Sequence, residues 1–245
     1  MRKFLGLFGA ATMAGIGAIG LTACSLTPGS TFEDDSSVPK AKKITSVRLD
    51  SRSGSVTLNG GKDVSKVSVH REVEYHGDRP KGATHRVEDG VLVLGGCGKD
   101  CSVSYTVDLP AGLPVNGETS NGAVHLTAVG AVKVTTSNGA IDLKGVRGTV
   151  DVETADGRIH GTGLSGKGIK AKTSNGAIEL TPATAQNVRA DTSNGAVTVT
   201  VPDGTYRVHT ETSNGHKDIG VTDDPAGAHR LDLTTSNGAI TLKRG

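Results

Sequence analysis

Apolar and polar residues alternate with a period of two along most of the chain between residues 44 and 245. This alternation is typical of β-strands that bury one face, and no segment has a convincing helical periodicity. The sequence therefore predicts an all-β domain. One apolar column stands six residues before a repeated Asn or Asp and comprises Val115, Val132, Val150, Ile169, Val188, Val208 and Leu231.

A repeated tetrapeptide interrupts this alternation at nearly regular intervals. Thr-Ser-Asn-Gly occurs six times and a variant, Thr-Ala-Asp-Gly, once, with spacings of 17, 18, 19, 19, 20 and 23 residues. Asn and Gly tolerate the left-handed backbone of a sharp turn, so each unit is predicted to be strand, turn, strand and loop. Residues 44 to 110 carry a degraded copy, in which Ser53 replaces the turn Asn. The predicted turn and ladder residues are Asn121, Asn138, Asp156, Asn175, Asn194, Asn214 and Asn237.

Two architectures fit these units. One is a parallel β-helix, or solenoid, with about 18–20 residues per coil and identical positions stacked about 4.8 Å apart. The other is an array of Asn-Gly β-hairpins. The near-constant period and the identity of stacked positions favour the solenoid. The charged chain end at Lys243 and Arg244 is expected to protect the open end of the stack. Lys217 stands in an otherwise apolar column and predicts a local register shift or bulge.

The first 43 residues differ from the repeats. Residues 1–23 are typical of a secretory signal, with Arg2 and Lys3, an apolar run and small residues before Cys24. Leu-Thr-Ala-Cys resembles the bacterial lipobox, which implies that Cys24 receives acyl chains (palmitate) and becomes the first mature residue. An uncleaved membrane anchor is the alternative, although five glycines weaken the apolar run as a span. Residues 24–43 predict a lipidated N-terminus and flexible tether, and residues 44–245 the repeat domain.

Two further cysteines, Cys97 and Cys101, follow in the repeat domain. Export would place them in an oxidising compartment, so a disulfide is expected. A two-cysteine metal site is the alternative, but no His lies nearby to complete it.

The repeats and the segment from Cys97 to Pro110 together resemble the β-strand-repeat family known as "putative adhesin", whose function is unknown. The resemblance covers residues 44 to 245 and implies a right-handed β-helix. Members are commonly lipoproteins or membrane-tethered, which agrees with the leader. The resemblance therefore implies a lipid-anchored protein on the extracytoplasmic face of the cell membrane, with the membrane as one partner.

The net charge and the lack of catalytic motifs exclude several classes of function. Without Arg2 and Lys3 the chain has 25 basic residues (27 − 2) against 25 acidic ones, so nucleic acid is not an expected partner. Phosphate loops, nucleophile elbows and zinc-helix motifs are lacking, and six equivalent serines do not make one active site, so no enzyme and no cofactor is predicted. One outward row has metal-ligand types but is expected to be an alternating-charge ladder without zinc, and it comprises His125, Asp142, His160, Glu179, Thr198, Asp218 and Thr241.

Three function classes remain. The first is a cell-surface adhesive or structural module, and the second is an envelope sensor or accessory protein that works through a protein partner. The third is a carbohydrate-binding module for a surface glycan. Aromatic residues are only 2% of the chain, and its tyrosines are limited to Tyr75, Tyr105 and Tyr206, which weighs against the third class.

Overall fold

The structure, a computed structural model, describes residues 29–38 and 43–245. Twenty-one strands and no helix occur in these residues, and the strands form two sheets. Most coils give one strand to each sheet. Sheet A has eleven strands in the order β1 (Ser30–Ser37), β4 (Ser68–Tyr75), β7 (Cys101–Pro110), β3 (Val56–Gly61), β9 (Val124–Thr127), β11 (Ile141–Lys144), β13 (Ile159–Leu164), β15 (Ile178–Pro182), β17 (Val197–Val201), β21 (Ile240–Arg244) and β19 (Lys217–Ile219).

Sheet B runs alongside sheet A and has ten strands. Each of its repeat strands ends at a turn Asn or Asp, and the chain then crosses to sheet A. The order is β5 (His85–Glu88), β6 (Val91–Gly95), β2 (Ser46–Ser53), β8 (Val115–Asn121), β10 (Val132–Asn138), β12 (Val150–Asp156), β14 (Gly168–Asn175), β16 (Asn187–Asn194), β20 (His229–Asn237) and β18 (Tyr206–Asn214).

Parallel pairing confirms the predicted all-β solenoid, and the array of Asn-Gly hairpins is wrong. Asn138 lies opposite Asn121 on one side and opposite Asp156 on the other, so equivalent positions stack in register. The degraded first copy keeps this register, with Ser53 opposite Asn121. The apolar columns meet between the sheets, where Ile141 and Leu143 are buried. Because the two sheets are close, small aliphatic side chains fill this thin core.

The order of coils in the stack departs from the order in the chain at both ends. Coil β2–β3 lies between coils β6–β7 and β8–β9, and coil β20–β21 lies between β16–β17 and β18–β19. The expectation that Lys243 and Arg244 mark the open end is therefore wrong, because β21 is paired on both sides. The open end is formed by β18 and β19. The largest fully buried side chains, Tyr105 and Tyr206, belong to the two outermost coils.

Lys217 occupies the inward column at this open end. It lies opposite Ile240 with β19 in regular register, so the predicted register shift or bulge is wrong. A coil with no neighbour on one side leaves its inward column open to solvent, and a lysine fits there. The Lys217 ammonium donates to the backbone carbonyl of Thr210 at 2.7 Å.

The N-terminal strand corrects the predicted tether. Residues 30–37 were expected to be part of a flexible segment, but they form β1 and pair antiparallel with β4 along eight residues. Phe32 packs edge-on against Tyr75, with ring centroids 5.9 Å apart, and Arg79 lies 4.0 Å above the Phe32 ring. The domain therefore begins before residue 44. Residues 1–28, with the predicted signal peptide and Cys24, lie outside the described residues.

A search of the described residues for a membrane-spanning helix found none that is long and apolar enough.

Candidate binding surface

The turns of the repeat form one long edge of the solenoid. Their glycines are required by close stacking, because a Cβ on Gly139 would overlap the carbonyl group of Gly122, and one on Gly176 would overlap that of Gly157. The prediction of left-handed Asn residues is wrong. Asp89, Asp100 and Ala128 account for all positive φ angles at non-glycine residues in the described part of the chain.

The Thr of five of the seven repeats is a structural residue, whereas the buried hydroxyls of Thr119 and Thr136 have no hydrogen-bond partner among the described residues. Thr154 Oγ1 donates to the carbonyl oxygen of Gly139 at 3.1 Å, and Thr173 Oγ1 donates to that of Gly157 at 2.9 Å. The same bond recurs from Thr192, Thr212 and Thr235. These hydroxyls bind one coil to the preceding coil in the stack and are therefore not available to a ligand.

The turn Asn side chains form an exposed row, which we call the Asn ladder. From Asn138 onward, each Asn Nδ2 donates to the Oδ1 atom of the preceding coil, at 2.9 Å from Asn194 to Asn175 and from Asn237 to Asn194. Asp156 accepts from Asn175 at 2.7 Å but has no N–H group to offer Asn138, so the ladder is interrupted there. The Asn ladder comprises Asn121, Asn138, Asp156, Asn175, Asn194, Asn237 and Asn214 in stack order.

A second row of bonds runs in the opposite direction through the backbone. Every turn Gly except Gly215 donates its N–H to the Asn or Asp carbonyl of the next coil in the stack, at 2.9 to 3.0 Å. The pairs are Gly122–Asn138, Gly139–Asp156, Gly157–Asn175, Gly176–Asn194, Gly195–Asn237 and Gly238–Asn214. Both rows end at Asn214, in the last coil.

Next to the Asn ladder, the outward face of sheet B presents a column of small polar residues and two columns of charges. Both columns contain charges of either sign, and some opposite charges pair between coils: Lys170 Nζ lies 3.4 Å from Asp151, and Lys172 Nζ lies 2.8 Å from Glu153. The hydrogen bond to Glu153 raises the pKa of Lys172. We call the small residues the Ser column, which comprises Ser120, Ser137, Ala155, Ser174, Ser193, Ser236 and Ser213.

One end of this face is closed by the cysteine loop. Cys97 and Cys101 are joined in a disulfide, in agreement with the expectation from sequence. The loop that they close is one wall of a groove of about 580 Å³. The sequence could not predict this groove, because it depends on coil β6–β7 lying outside coil β2–β3. Its polar lining includes Asp50, Arg52, Lys99, Glu118, Ser120 and Ser137.

The outward row of sheet A forms charge pairs. His125 Nδ1 lies 3.1 Å from Asp142 Oδ2, Arg158 Nη2 lies 3.3 Å from Asp142 Oδ1, and His160 Nδ1 lies 3.4 Å from Glu179. Asp142 is thus shared between a histidine and an arginine. No group of three potential metal ligands occurs among residues 29–38 and 43–245. That the protein lacks zinc stays a prediction.

A polar cluster at the β1 end was not predicted from sequence. Arg71, with 8% of its surface exposed, donates to Asp34 at 2.8 Å, to the Gly82 carbonyl at 3.0 Å and to the Thr84 hydroxyl at 3.2 Å. The Tyr105 hydroxyl donates to the Gly95 carbonyl at 2.7 Å, and burial raises the pKa of Tyr105 to about 12. Together with a bond between the Tyr105 and Thr84 hydroxyls, these bonds join β1, β4, β6, β7 and the loop before β5.

The same cluster contains a serine–histidine pair. Ser36 Oγ lies 3.1 Å from His85 Nε2, while His85 Nδ1 is buried without a partner in the described part of the chain. Burial lowers the pKa of His85, and the nearby Arg71 lowers it further. A nucleophilic serine needs a histidine that a third group orients. No such group lies on Nδ1 among the described residues, and the contact joins β1 to β5.

Comparison with known proteins gives one family match and several solved structures. The family model described as Toastrack DUF4097 matches residues 36–243. A search among the curated proteins found no match. The chain is similar to a "putative adhesin" from Bacteroides fragilis, with 12% identity, 88% of this chain and 97% of that chain covered, and a TM-score of 0.44.

Two further solved structures are similar to the chain. One is a "putative adhesin" from Parabacteroides merdae, with 9% identity, 88% and 96% of the two chains covered, and a TM-score of 0.42. The other is a "putative cell adhesion protein" from Clostridium sporogenes, with 12% identity, 88% and 100% covered, and a TM-score of 0.37.

Proposed function

The chain belongs to the Toastrack DUF4097 family, and from that membership we propose that it is a cell-surface lipoprotein whose solenoid is a non-enzymatic adhesive or structural module. The family match agrees with the resemblance to β-strand-repeat proteins found in the sequence. A repeat solenoid offers an extended surface on which equivalent groups recur at a fixed interval. Such a surface suits a partner that is itself extended or repetitive.

The Asn ladder with the adjoining Ser column is the observation that carries this proposal. Its seven Asn and Asp side chains are all exposed, and they stand side by side along one edge of the stack. Except at the break between Asn138 and Asp156, each inner amide is held by both neighbours, so most of the row is rigid before any partner binds. The serines are equivalent along the row, which supports binding along a surface rather than chemistry at one point.

The attachment of this module to the membrane is the second part of the proposal. Cys24, which lies outside the described residues, is the residue that would carry the lipid. Two acyl chains would hold the protein firmly, whereas one chain binds only marginally. Labelled palmitate should enter the native protein and a Cys97→Ser/Cys101→Ser variant, but not a Cys24→Ala variant. Label in the Cys24→Ala protein would refute lipid attachment at this residue.

Adhesion is tested with cells that display the full-length protein. Ser174→Lys/Ser193→Lys places two cations on the Ser column, whereas Thr181→Lys/Thr200→Lys places the same charges in the same two coils on the outward face of sheet A. The serine variant should lose attachment to host-cell or envelope material, and the threonine variant should keep it. Equal attachment of both variants and the native protein would contradict an adhesive Ser column.

An envelope accessory protein is the alternative, and the groove beside the disulfide favours it. The groove places Lys99 and Arg52 near Asp50 and Glu118, a mixed-charge lining that suits a protein partner. Carbohydrate binding has less support, because Tyr105 and Tyr206 are buried and offer no stacking platform. Cross-linking from position 99 in the native envelope would capture a protein if this alternative is correct.

A further inference from the structure

The six Thr-Ser-Asn-Gly turns are identical in sequence but not in hydrogen bonding. In five of them the glycine N–H donates to the carbonyl of the next coil. The sixth, Asn214 with Gly215, belongs to the outermost coil of the stack. Within the described residues, the Gly215 N–H has no acceptor, and no side chain donates to Asn214 Oδ1.

Asn followed by Gly is the dipeptide most prone to spontaneous deamidation, because glycine does not hinder the attack of its own backbone nitrogen on the Asn side chain. We propose that Asn214 is a selective, non-enzymatic deamidation site of this protein. The Gly215 nitrogen attacks Cγ of Asn214, forming an N–Cγ bond. The Cγ–Nδ2 bond breaks, and the amide nitrogen leaves as ammonia with the former Gly215 proton. Water then opens the cyclic imide to aspartate or isoaspartate.

The other turns are protected by their bonds. The attacking nitrogen must lose its proton, and a hydrogen-bonded N–H loses it only when that bond opens. Gly122, Gly139, Gly176, Gly195 and Gly238 are all held in this way. The two remaining Asn-Gly pairs, which begin at Asn59 and Asn116, lie in strands that are paired on both sides.

The modification would alter the open end. Asn214 Nδ2 now donates to Asn237 Oδ1 at 2.9 Å, and an aspartate would place a carboxylate oxygen against that oxygen instead. An isoaspartate would also lengthen the main chain by one carbon and convert the carbonyl that accepts from Gly238 into a carboxylate outside the main chain, which displaces this acceptor. The last coil would therefore loosen and gain a negative charge. Asn237, whose glycine then loses its acceptor, becomes the next site.

The test uses the purified full-length protein, incubated in a mildly alkaline buffer and analysed over time by peptide mapping with mass spectrometry. Asn214 should deamidate about tenfold faster than the other five turn asparagines in the native chain, and Asn237 should follow. In urea all six should react at similar rates, since their local sequences are the same. Equal native rates, or a faster reaction at another turn, would overturn the proposal.

A matched variant separates this chemistry from a general loss of the last coil. Asn214→Gln keeps the amide that bonds to Asn237, but its longer side chain would have to close a larger, less favourable ring. The variant should stop the reaction at position 214 and delay that at Asn237. If Asn237 reacts at the native rate in this variant, then deamidation does not proceed from Asn214.

Discussion

The two ends of the solenoid stop the stack in different ways. At one end, antiparallel strands β1 and β4 cover coil β6–β7 in sheet A, and β5 covers it in sheet B. At the other end, β18 and β19 remain parallel to their neighbours and carry one free edge each. Free edges invite pairing with another chain, and natural sheets blunt them by covering them or by placing charges on them.

The side chains at the two ends of the solenoid also differ. The covered end depends on the buried Arg71 and its bonds to Asp34 and Thr84. The free end depends on Lys217 and on a loop in which Asp223 Oδ1 accepts from the backbone N–H of Val208 at 2.7 Å. One end is therefore stabilised by a buried network, and the other is protected by solvated charge. Loss of a side chain from the buried network should therefore cost more than loss of an exposed charge at the free end.

The largest contrast is expected within the free end itself. Ile240 and Lys217 lie opposite each other in the same column, but Ile240 is fully buried and Lys217 is exposed. Ile240→Asp buries an unpaired carboxylate and should lower the free energy of unfolding by about 4 kcal/mol or more. Lys217→Asp should change it by less than about 0.5 kcal/mol. Urea unfolding measures the free energy of unfolding of both variants. Similar losses would contradict the position of β21 in the interior of the stack.

The buried network of the covered end gives the next effect. Arg71→Ala leaves Asp34 and the Gly82 carbonyl without their donor and should cost about 2 kcal/mol, less than for a fully buried pair because Asp34 is half exposed. Arg207→Ala, on the free edge strand β18, should cost less than about 0.5 kcal/mol. Thermal unfolding compares them. If the two variants are equally stable, the Arg71 network does not stabilise the covered end.

A smaller effect should appear with pH. Burial lowers the pKa of His85 below its ordinary value of 6.5, so its contribution to stability is present above that pH and is lost on acidification. His70 acts in the opposite direction, because its hydrogen bond with Asp35 raises its pKa, but solvent screens this exposed pair. His85→Gln should reduce the acid loss of unfolding free energy, and His70→Gln should increase it. An unchanged pH profile in His85→Gln would be inconsistent with this account.

Lys217→Ile is expected to have the smallest effect on stability. Its main effect should be on the association of the protein with a second copy of itself. The variant completes the apolar column at the free end, so the edges of β18 and β19 can pair with a second copy. Sedimentation at increasing concentration should detect more dimer than in the native protein. Asp218→Ile is the control, because it adds the same side chain to the outward face of β19. Equal association of all three proteins would show that Lys217 does not protect the edge.

Much of the central fold could be predicted from the sequence. The apolar columns and the turn Asn positions stand at fixed distances in the chain, and stacking preserves these distances in space. The family match confirms the resemblance on which the adhesin proposal rests. The alternation of apolar and polar residues and the spacing of the repeats are thus sufficient to predict the all-β class and the parallel solenoid.

The ends could not be predicted in the same way. Coils β2–β3 and β20–β21 are each inserted between two other coils. A strand with alternating apolar residues can pair equally well with any coil of the stack, so the pattern does not fix the order of the coils. The β1 strand has one apolar side chain inside the sheet, Phe32, and its composition is that of a linker. Its position follows from the pairs Asp34–Arg71 and Ser36–His85, which join residues 37 and 49 positions apart. Such contacts leave no local signal.

The first and last coils in chain order, β2–β3 and β20–β21, each lie one place inside the end of the stack. The solenoid can therefore be lengthened in its middle without a change at either end. A duplicated unit of 18 or 19 residues, placed between β10 and β16, would find an in-register neighbour on each side. Neither the β1 end nor the Lys217 end would have to change. The length of the solenoid is therefore separable, in evolution and in engineering, from the structures that close its two ends.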